Sequence, residues 1–377
     1  MTIHSRTPVG LDGVVAAATA LSHVDGDHGE LVIAGARVGD LAGRVAFEDL
    51  TARLWSLARG ENIGETEVRQ RLGVARARTF ERLPAILSAA EGLPIVAAFR
   101  AGVAALGPVM GLPDETVLVG AMPVIAAALV RRSRGEAPVA PHLTLGHAAD
   151  TLRMLRGRPA SEPETRALDA YLVTASDHGM NASTFTARVV ASTQADPFMA
   201  VTAAYCALTG PLHGGAPGPV LDMLDAIGSR ENIAAWVNAA LERKERLMGF
   251  GHRIYRVRDP RADVLREAVA TLERTGRDLG LAAEVEAYAR EALKRAKPDR
   301  PLDTNVEFYT AILLDALGIP REAFTPIFAT ARAAGWTAHA MEQQRTGRLL
   351  RPGSAYVGDM PATSAAGRPG DEAKEPC

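Results

Sequence analysis

Residues 117–130 read VLVGAMPVIAAALV, and no other part of the sequence constrains the fold as strongly. This run is the longest apolar stretch of the chain and contains Pro123. It falls short of the roughly 18 or more apolar residues that a membrane-spanning helix needs. We therefore expect a helix that is buried in a protein core and does not cross a membrane.

Apolar residues recur at spacings of three and four on both sides of this run, as they do in amphipathic helices. Residues 47–59 form one such segment, and Gly60 follows it as a stop signal. The same pattern predicts further helices over residues 148–155, 164–173, 220–227, 232–248, 281–296 and 306–317. Strand signals are few, and ELVI at residues 30–33 predicts one arm of a small hairpin. Because strands and helices do not alternate, a parallel-sheet nucleotide fold is disfavoured and an all-α fold is expected.

The composition is that of a globular chain. The 377 residues are 47% hydrophobic and 23% charged, and 42 basic against 44 acidic side chains give a net charge of −2. This balance shows no electrostatic footprint of a nucleic-acid binder. Two cysteines, Cys206 and Cys377, exclude a disulfide scaffold, and the N-terminus lacks a signal peptide's apolar core. We expect a cytoplasmic protein of about two domains, with a disordered tail over residues 361–377.

Several familiar site motifs are absent from the sequence. It contains no GxxxxGK[ST] loop, no HExxH, no CxxC and no GxSxG. Residues 249–251 begin a GxGxxG pattern, but Ile254 occupies the position of the third glycine. No metal site is predicted, because no cluster with metal-ligand spacing exists.

Four polar segments interrupt the apolar pattern, at residues 177–184, 210–216, 249–261 and 305–309. A looser group contains Arg332, His339, Glu342 and Arg351. Taken singly, each has an ordinary structural explanation, such as a turn histidine or a solvated surface arginine. Taken together, they supply two histidines in glycine-flanked loops, a carboxylate and several arginines.

This combination of residue types favours one kind of chemistry. Each histidine loop precedes a predicted helix, and the positive end of a helix dipole favours neutral imidazole. Neutral imidazole can donate a hydrogen bond to a carbonyl oxygen. With a carboxylate base and several arginines, the set suits proton abstraction next to a carbonyl and binding of a multi-anionic co-substrate.

At these segments the chain resembles the citrate synthase family, and its bacterial form in particular. The matching segments are SDHGMNASTFTARVVAST at 176–193, GPLHGGAPGPVLDML at 210–224, MGFGHRIYRVRDPRA at 248–262 and DTNVEFYTAILLDALGIP at 303–320. The similarity continues in FTPIFATARAAGWTAHAMEQ at 324–343 and LLRPGSAYVG at 349–358. Residues 11–42 resemble the opening segment of the family with its small hairpin, so the similarity covers roughly residues 10–360.

The resemblance implies a two-domain, all-helical homodimer with a small N-terminal β-hairpin. The large domain would comprise residues 1–214 and 319–360, and the small domain, residues 215–318, would close over the substrates. The implied reaction joins acetyl-CoA to oxaloacetate and then hydrolyses the thioester to citrate and CoA. It uses acetyl-CoA as a co-substrate, with no tightly bound cofactor, nucleic acid or membrane.

Three positions match the catalytic residues of the family. His213 matches the histidine that hydrogen-bonds the thioester carbonyl, and His252 matches the histidine that polarises the oxaloacetate carbonyl. Glu307 occupies the place of the base that takes a proton from the acyl methyl group. A preorganised donor is needed here because the thioester methyl is a very weak acid.

Further positions match the binding residues of the family. The oxaloacetate ligands are matched by His178, Arg261 and Arg332, and two lining residues by Asn181 and Phe328. Arg351 matches an arginine that enters the active site from the other subunit. The segment that contacts CoA is matched by Met248, Gly249, Phe250, Gly251 and Arg256.

Glu307 departs from the pattern of the family, which most often has Asp in its NVD motif, whereas this chain reads NVE. Glutamate is longer by one methylene, and a displacement of about 1 Å can cost ~100-fold in rate. Because the other catalytic and anion-binding positions are intact, we expect the backbone to compensate. Two alternatives stay open: a 2-methylcitrate synthase that uses propionyl-CoA, and a catalytically weak paralogue that binds CoA or dicarboxylates. A third, a lyase or a synthase for another 2-oxo acid, is disfavoured because Arg261, Arg332 and Arg351 favour a dicarboxylic 2-oxo acid.

Overall fold

The computed structural model describes residues 9–11, 13–213, 217–252, 254–272, 278–299 and 302–359. The chain forms two compact units. The larger unit comprises residues 17–350, and the smaller one joins the two ends of the chain, residues 1–16 and 351–377. The division into large and small domains at residues 215 and 318 stays a prediction, and the predicted disordered tail lies outside the described residues.

The described residues contain fifteen α-helices and one small sheet, which confirms the predicted all-α fold with its N-terminal hairpin. The strands are β1 (Ser22–Asp25), β2 (Glu30–Ile33) and β3 (Ala36–Arg37). The first eight helices are α1 (Val38–Leu41), α2 (Phe47–Arg59), α3 (Glu65–Ala89), α4 (Ile95–Ala104), α5 (Asp114–Ser133), α6 (His147–Arg156), α7 (Glu162–Ala175) and α8 (Ala182–Ser192). The remaining helices are α9 (Pro197–Leu208), α10 (Pro217–Ile227), α11 (Ile233–Glu242), α12 (Pro260–Ala270), α13 (Leu279–Ala296), α14 (Val306–Ala316) and α15 (Phe324–Thr346).

Helix α5 contains the apolar run of residues 117–130, and every residue of that run is buried. Helices α3, α4, α6 and α15 pack around it. By length and composition α5 could cross a membrane, but 83% of its most apolar window is buried inside the protein. The prediction of a core helix is therefore confirmed.

Most predicted helices occur where the apolar periodicity places them. Helix α2 spans the predicted residues 47–59 and ends at Gly60, whose φ of 73° is readily adopted only by glycine. The helix predicted over residues 232–248 is wrong at its C-terminal end, because α11 stops at Glu242. Lys244 follows with a φ of 59°, a left-handed conformation that a continuing helix cannot include.

Helix α15 forms the centre of the larger unit and supplies part of the candidate site. It packs against α2, α5, α7, α8 and α9, and nearly all its residues up to Ala340 are buried. A Cβ built on Gly335 would lie 2.3 Å from the carbonyl oxygen of Ser176. The absence of a side chain at Gly335 therefore lets α15 approach the segment that links α7 to α8.

Candidate active site

The segment between α7 and α8 brings His178 into the interior. Asn181 ends this segment as the N-cap of α8, because its Oδ1 accepts the backbone N–H of Thr184 at 3.1 Å. His178 is 5% exposed, and its Nε2 lies 3.1 Å from the hydroxyl of Tyr255. The predicted role of Asn181 in lining the site stays a prediction beside this capping function.

His252 lies on the loop that precedes α12, with its ring centroid 5.5 Å from that of His178. Its Nδ1 accepts the backbone N–H groups of Ile254 at 3.0 Å and Tyr255 at 3.1 Å. The proton of the neutral ring must therefore sit on Nε2. Burial, together with the charge of Arg261, lowers the pKa of His252 to about 4, so the ring is neutral near pH 7.

The predicted cause of this neutrality was wrong for His252. Helix α12 begins at Pro260, eight residues after His252, so the histidine does not lie at the N-terminus of that helix. Burial and a neighbouring guanidinium disfavour the imidazolium instead. The ring is neutral as expected, but the cause is tertiary packing and not a helix dipole.

His213 follows α9 and is held by α8. Its Nε2 accepts the backbone N–H of Ser183 at 3.3 Å and lies 2.9 Å from the Ser183 hydroxyl oxygen. Trp336 donates its indole N–H to the same hydroxyl oxygen at 3.1 Å. Because Nε2 is an acceptor, the proton of neutral His213 lies on Nδ1. Burial and then the charge of Arg332 lower the pKa of His213 to about 4.

Glu307 is the second residue of α14, whose N-cap Asn305 accepts the backbone N–H of Glu307 at 3.0 Å. Its Oε2 is buried and has no hydrogen-bond partner among the described residues. Burial raises the pKa of Glu307 to about 7, although the charges of Arg261 and Arg332 act in the opposite direction. A carboxyl group that titrates near neutral pH is well matched to proton transfer.

Arg261 is buried, and Asp259 occupies much of its guanidinium. Nε and Nη2 of Arg261 both donate to the Asp259 carboxylate, at 2.9 and 2.7 Å. Asp259 also accepts the backbone N–H of Val306 at 3.1 Å, which ties α12 to the helix that carries Glu307. The guanidinium of Arg261, which is predicted to bind oxaloacetate, therefore faces a protein carboxylate. Asp259 leaves only the Nη1 atom of this group without a hydrogen bond to its carboxylate.

Arg332, on α15, is 1% exposed and lies at the centre of the cluster. Its Nε donates to the carbonyl of Ala175 at 2.6 Å, and its guanidinium carbon lies 4.7 Å from the centroid of the Phe328 ring. Burial lowers the pKa of Arg332 to about 10. No ion pair links Arg332 to a carboxylate in the part of the chain that the structure describes. Its charge nevertheless lowers the pKa values of His178, His213 and Glu307.

The predicted CoA segment is fixed against residues 303–304, which precede α14. Phe250 forms an antiparallel bridge with Thr304, and Gly251 donates its backbone N–H to the carbonyl of Asp303 at 2.7 Å. Gly249 and Gly251 have φ values of 84° and 80°. Met248 is half-buried and Arg256 is exposed. Arg351 is exposed and lies in the smaller unit formed by the chain ends.

His339 and Glu342, from the looser group, belong to a buried network around Arg188. Arg188 Nε donates to His339 Nδ1 at 2.8 Å, and Nη2 of Arg188 pairs with the Glu342 carboxylate. His339 Nε2 in turn lies 3.2 Å from Asp177, the residue before His178. These residues join α8, α15 and the His178 segment, and their partners are protein groups.

Sequence reasoning missed several residues that shape the site. Ser183, Tyr255 and Asp259 lie inside the matched segments, so their position was a usable signal. Tyr171 had no such signal: its hydroxyl is buried without a partner among the described residues, and burial and the Glu307 charge raise its pKa. Among the described residues, no group of three or more histidines, cysteines and carboxylates could hold a metal ion.

Comparisons with known proteins give matches over most of the chain. A family model described as "Citrate synthase, C-terminal domain" matches residues 10–353. "Putative citrate synthase 2" of Mycobacterium tuberculosis is 39% identical over 366 residues, which cover 93% of each chain. "Citrate synthase" of Haloferax volcanii is 36% identical over 371 residues, covering 93% of this chain and 95% of the relative.

Solved structures show the same similarity. Citrate synthase from Thermotoga maritima superposes with a TM-score of 0.79 at 30% identity, covering 94% of this chain and 97% of that one. The complex of Thermoplasma acidophilum citrate synthase with carboxymethyl coenzyme A and oxaloacetate superposes with a TM-score of 0.83 at 27% identity, with coverages of 94% and 97%. The sequence match across nearly the whole chain, together with the shared fold, shows that the chain belongs to the citrate synthase family.

Proposed function

We propose that this chain condenses acetyl-CoA with oxaloacetate and hydrolyses the resulting thioester to citrate and CoA. One observation carries the proposal. His213 and His252 each accept a backbone N–H on one ring nitrogen, which leaves the N–H of the other nitrogen for a substrate, and Glu307 has a buried carboxylate oxygen with no hydrogen-bond partner among the described residues. Two neutral donors and one base are what the condensation requires.

The roles follow from these protonation states. Glu307 takes a proton from the methyl group of acetyl-CoA while Nδ1–H of His213 donates to the thioester oxygen, where negative charge develops. The resulting enolate carbon attacks the ketone carbon of oxaloacetate, and Nε2–H of His252 donates to the ketone oxygen. After the carbon–carbon bond has formed, water cleaves the thioester and releases citrate and CoA.

Arginines would hold the two carboxylates of oxaloacetate. Arg332 supports this role because it carries a buried charge without a carboxylate partner among the described residues. Arg261 would contribute Nη1, and His178 and Phe328 would complete the pocket. The loop Met248–Gly251 and Arg256 would contact CoA, which acts as a co-substrate.

A homodimer in which Arg351 enters the partner's site is part of the same proposal. The smaller unit that contains Arg351 also exposes apolar side chains, with Val15 87% and Val357 96% exposed. Closure of the small domain and a cytoplasmic location stay predictions.

The direct test measures free-thiol release by the purified protein with oxaloacetate, comparing acetyl-CoA and propionyl-CoA. We expect a higher kcat/KM with acetyl-CoA. Glu307→Gln should abolish turnover while oxaloacetate still binds, because glutamine keeps the shape but cannot accept the proton. Glu291→Gln, on the exposed side of α13, is the matched control and should keep wild-type turnover.

Each outcome bears on a different part of the proposal. Turnover near the wild-type value in Glu307→Gln would refute the assignment of the base. A clear preference for propionyl-CoA would identify a 2-methylcitrate synthase. Absence of thiol release with either substrate, in folded wild-type protein that binds CoA, would refute the reaction itself.

A further inference from the structure

We infer that Gly26, in the turn of the N-terminal hairpin, is a positioning residue for His252 and acts through the peptide group between Ile254 and Tyr255. The inference rests on the proposed function, because it assigns a task to a hairpin that lies far from the active-site motifs in the sequence. It is carried by the contacts that residues 24–29 make with the segments around the two oxaloacetate histidines.

The hairpin turn lies directly against residues 254–258. The carbonyl oxygen of Gly26 accepts the backbone N–H of Arg256 at 2.8 Å. A Cβ built on Gly26 would lie 2.4 Å from the carbonyl oxygen of Ile254 and 2.8 Å from its carbonyl carbon. Gly26 does not have a positive φ, so its own conformation does not call for glycine. Glycine is required at this position because the backbone of Ile254 approaches too closely for a side chain.

This contact falls on the peptide group that orients His252. The carbonyl of Ile254 and the N–H of Tyr255 belong to one planar trans peptide, so they point in opposite directions. The carbonyl side faces Gly26, and the N–H side donates to His252 Nδ1 at 3.1 Å. Any displacement of the carbonyl by the hairpin therefore moves the hydrogen bond that keeps the His252 proton on Nε2.

The hairpin is built to hold this position. Strands β1 and β2 pair in register from Ser22↔Ile33 to Asp25↔Glu30. The carboxylate of Asp25 accepts the backbone N–H groups of Asp27 and His28, both at 3.0 Å, which stiffens the turn. A turn anchored in this way transmits a displacement instead of absorbing it.

The same hairpin reaches the His178 segment. The Cγ2 atom of Val24 lies 3.1 Å from the position of a Cβ built on Gly179, the residue after His178. Gly29 packs against Val257, whose Cγ2 would lie 2.7 Å from an added Cβ. One hairpin thus contacts the segments that carry His178 and His252. Tyr255 also links these two segments, because its hydroxyl contacts His178 Nε2 and its backbone N–H donates to His252 Nδ1.

The test substitutes Gly26→Ala in the full-length protein, with Gly39→Ala as the matched control. A Cβ on Gly39, in α1, meets no atom within 4 Å. Two readouts are needed: kcat from thiol release, and the infrared ketone stretch of bound oxaloacetate, which reports hydrogen bonding to its carbonyl. Gly26→Ala should lower kcat by about 10- to 100-fold, as expected for a displacement near 1 Å. The ketone stretch should move towards the frequency of free oxaloacetate, and Gly39→Ala should match wild type in both.

A second variant protects the test against loss of folding. Asp25→Ala removes a half-buried carboxylate that stiffens the turn, and it should give a smaller loss of kcat and a smaller ketone shift of the same sign. A wild-type kcat and ketone stretch in Gly26→Ala would overturn the inference. So would a loss of kcat with an unchanged ketone stretch, because His252 would then still be in place. If the wild-type protein itself releases no thiol, the proposed function fails. The ketone stretch of bound oxaloacetate, compared between wild type and Gly26→Ala, still tests whether Gly26 positions His252.

Discussion

Glu307 illustrates how burial, with the charge of Asp259, can raise the pKa of a carboxyl group towards neutral pH. Two guanidinium groups nearby favour its ionised form, yet the loss of hydration raises its pKa to about 7. The Oε2 atom of Glu307 is buried where no protein donor reaches it among the described residues. In the proposed reaction, this unpartnered oxygen is the atom that takes the proton from the substrate.

This pKa predicts the pH dependence of catalysis. The base works only when ionised, so kcat/KM should fall by about tenfold per pH unit as the pH drops below about 7. The measurement is kcat/KM for acetyl-CoA between about pH 3.5 and 9 at saturating oxaloacetate. An acid limb near the ordinary glutamate value of 4.5 would show that Glu307 is more solvated than the structure indicates.

The two neutral histidines show how backbone hydrogen bonds determine which ring nitrogen carries the proton. His213 and His252 use different nitrogens as acceptors, and in both cases a backbone N–H selects the nitrogen. The free N–H of each ring is thereby fixed before substrate binds. Preorganisation of this kind lowers the reorganisation cost of the reaction.

Helices α8 and α15 are held together by a buried charge network next to the site. Arg188 of α8 donates to His339, Gln343 and Glu342, all on α15. Glu342 also accepts the backbone N–H of Ala20 at 2.9 Å, so the segment before the hairpin is anchored to the same network. The network fixes α15, which carries Arg332, relative to α8, whose residue Ser183 hydrogen-bonds His213.

Removing Arg188 should therefore be costly. Arg188→Ala leaves the buried Glu342 without its cationic partner, and we expect a loss of about 3–5 kcal/mol in the free energy of unfolding. Denaturant unfolding without substrate measures it. The control, Arg53→Ala on the exposed face of α2, should stay within about 0.5 kcal/mol of wild type. A loss below about 1 kcal/mol in Arg188→Ala would mean that Glu342 finds other partners.

The helices also show where local sequence information is sufficient. The apolar spacing and Gly60 located α2 to the residue, and the same reasoning found α5 and α14. It failed at the end of α11, where the apolar residues Leu247 and Met248 extend the pattern but the chain turns at Lys244. Periodicity describes which face can be buried, whereas a helix ends where the tertiary path requires a turn.

For the whole molecule, the proposed dimer makes a prediction about shared sites. Neither His213→Ala nor Arg351→Ala should turn over substrate alone. Refolded together in equal amounts, they should recover about a quarter of the wild-type activity, because half of the random dimers are hybrids with one intact site. Thiol release measures the recovery, and differently tagged chains confirm that hybrids form. No recovery in confirmed hybrids would argue against an arginine supplied by the partner.

The sequence was sufficient for whatever depends on residue type and spacing along the chain. Helical periodicity predicted the all-α class, and the segments around His178, His213, His252 and Glu307 indicated the family and its chemistry. These features are local, since each pattern is contained in fewer than about 20 consecutive residues. The folded chain was needed for the way these segments act on one another. The pairing of Arg261 with Asp259, the tautomers of the two histidines and the contact of Gly26 with Ile254 all depend on backbone geometry and burial. Solvent exclusion and hydrogen-bond direction arise only when distant segments pack, which is why no reading of separate motifs could supply them.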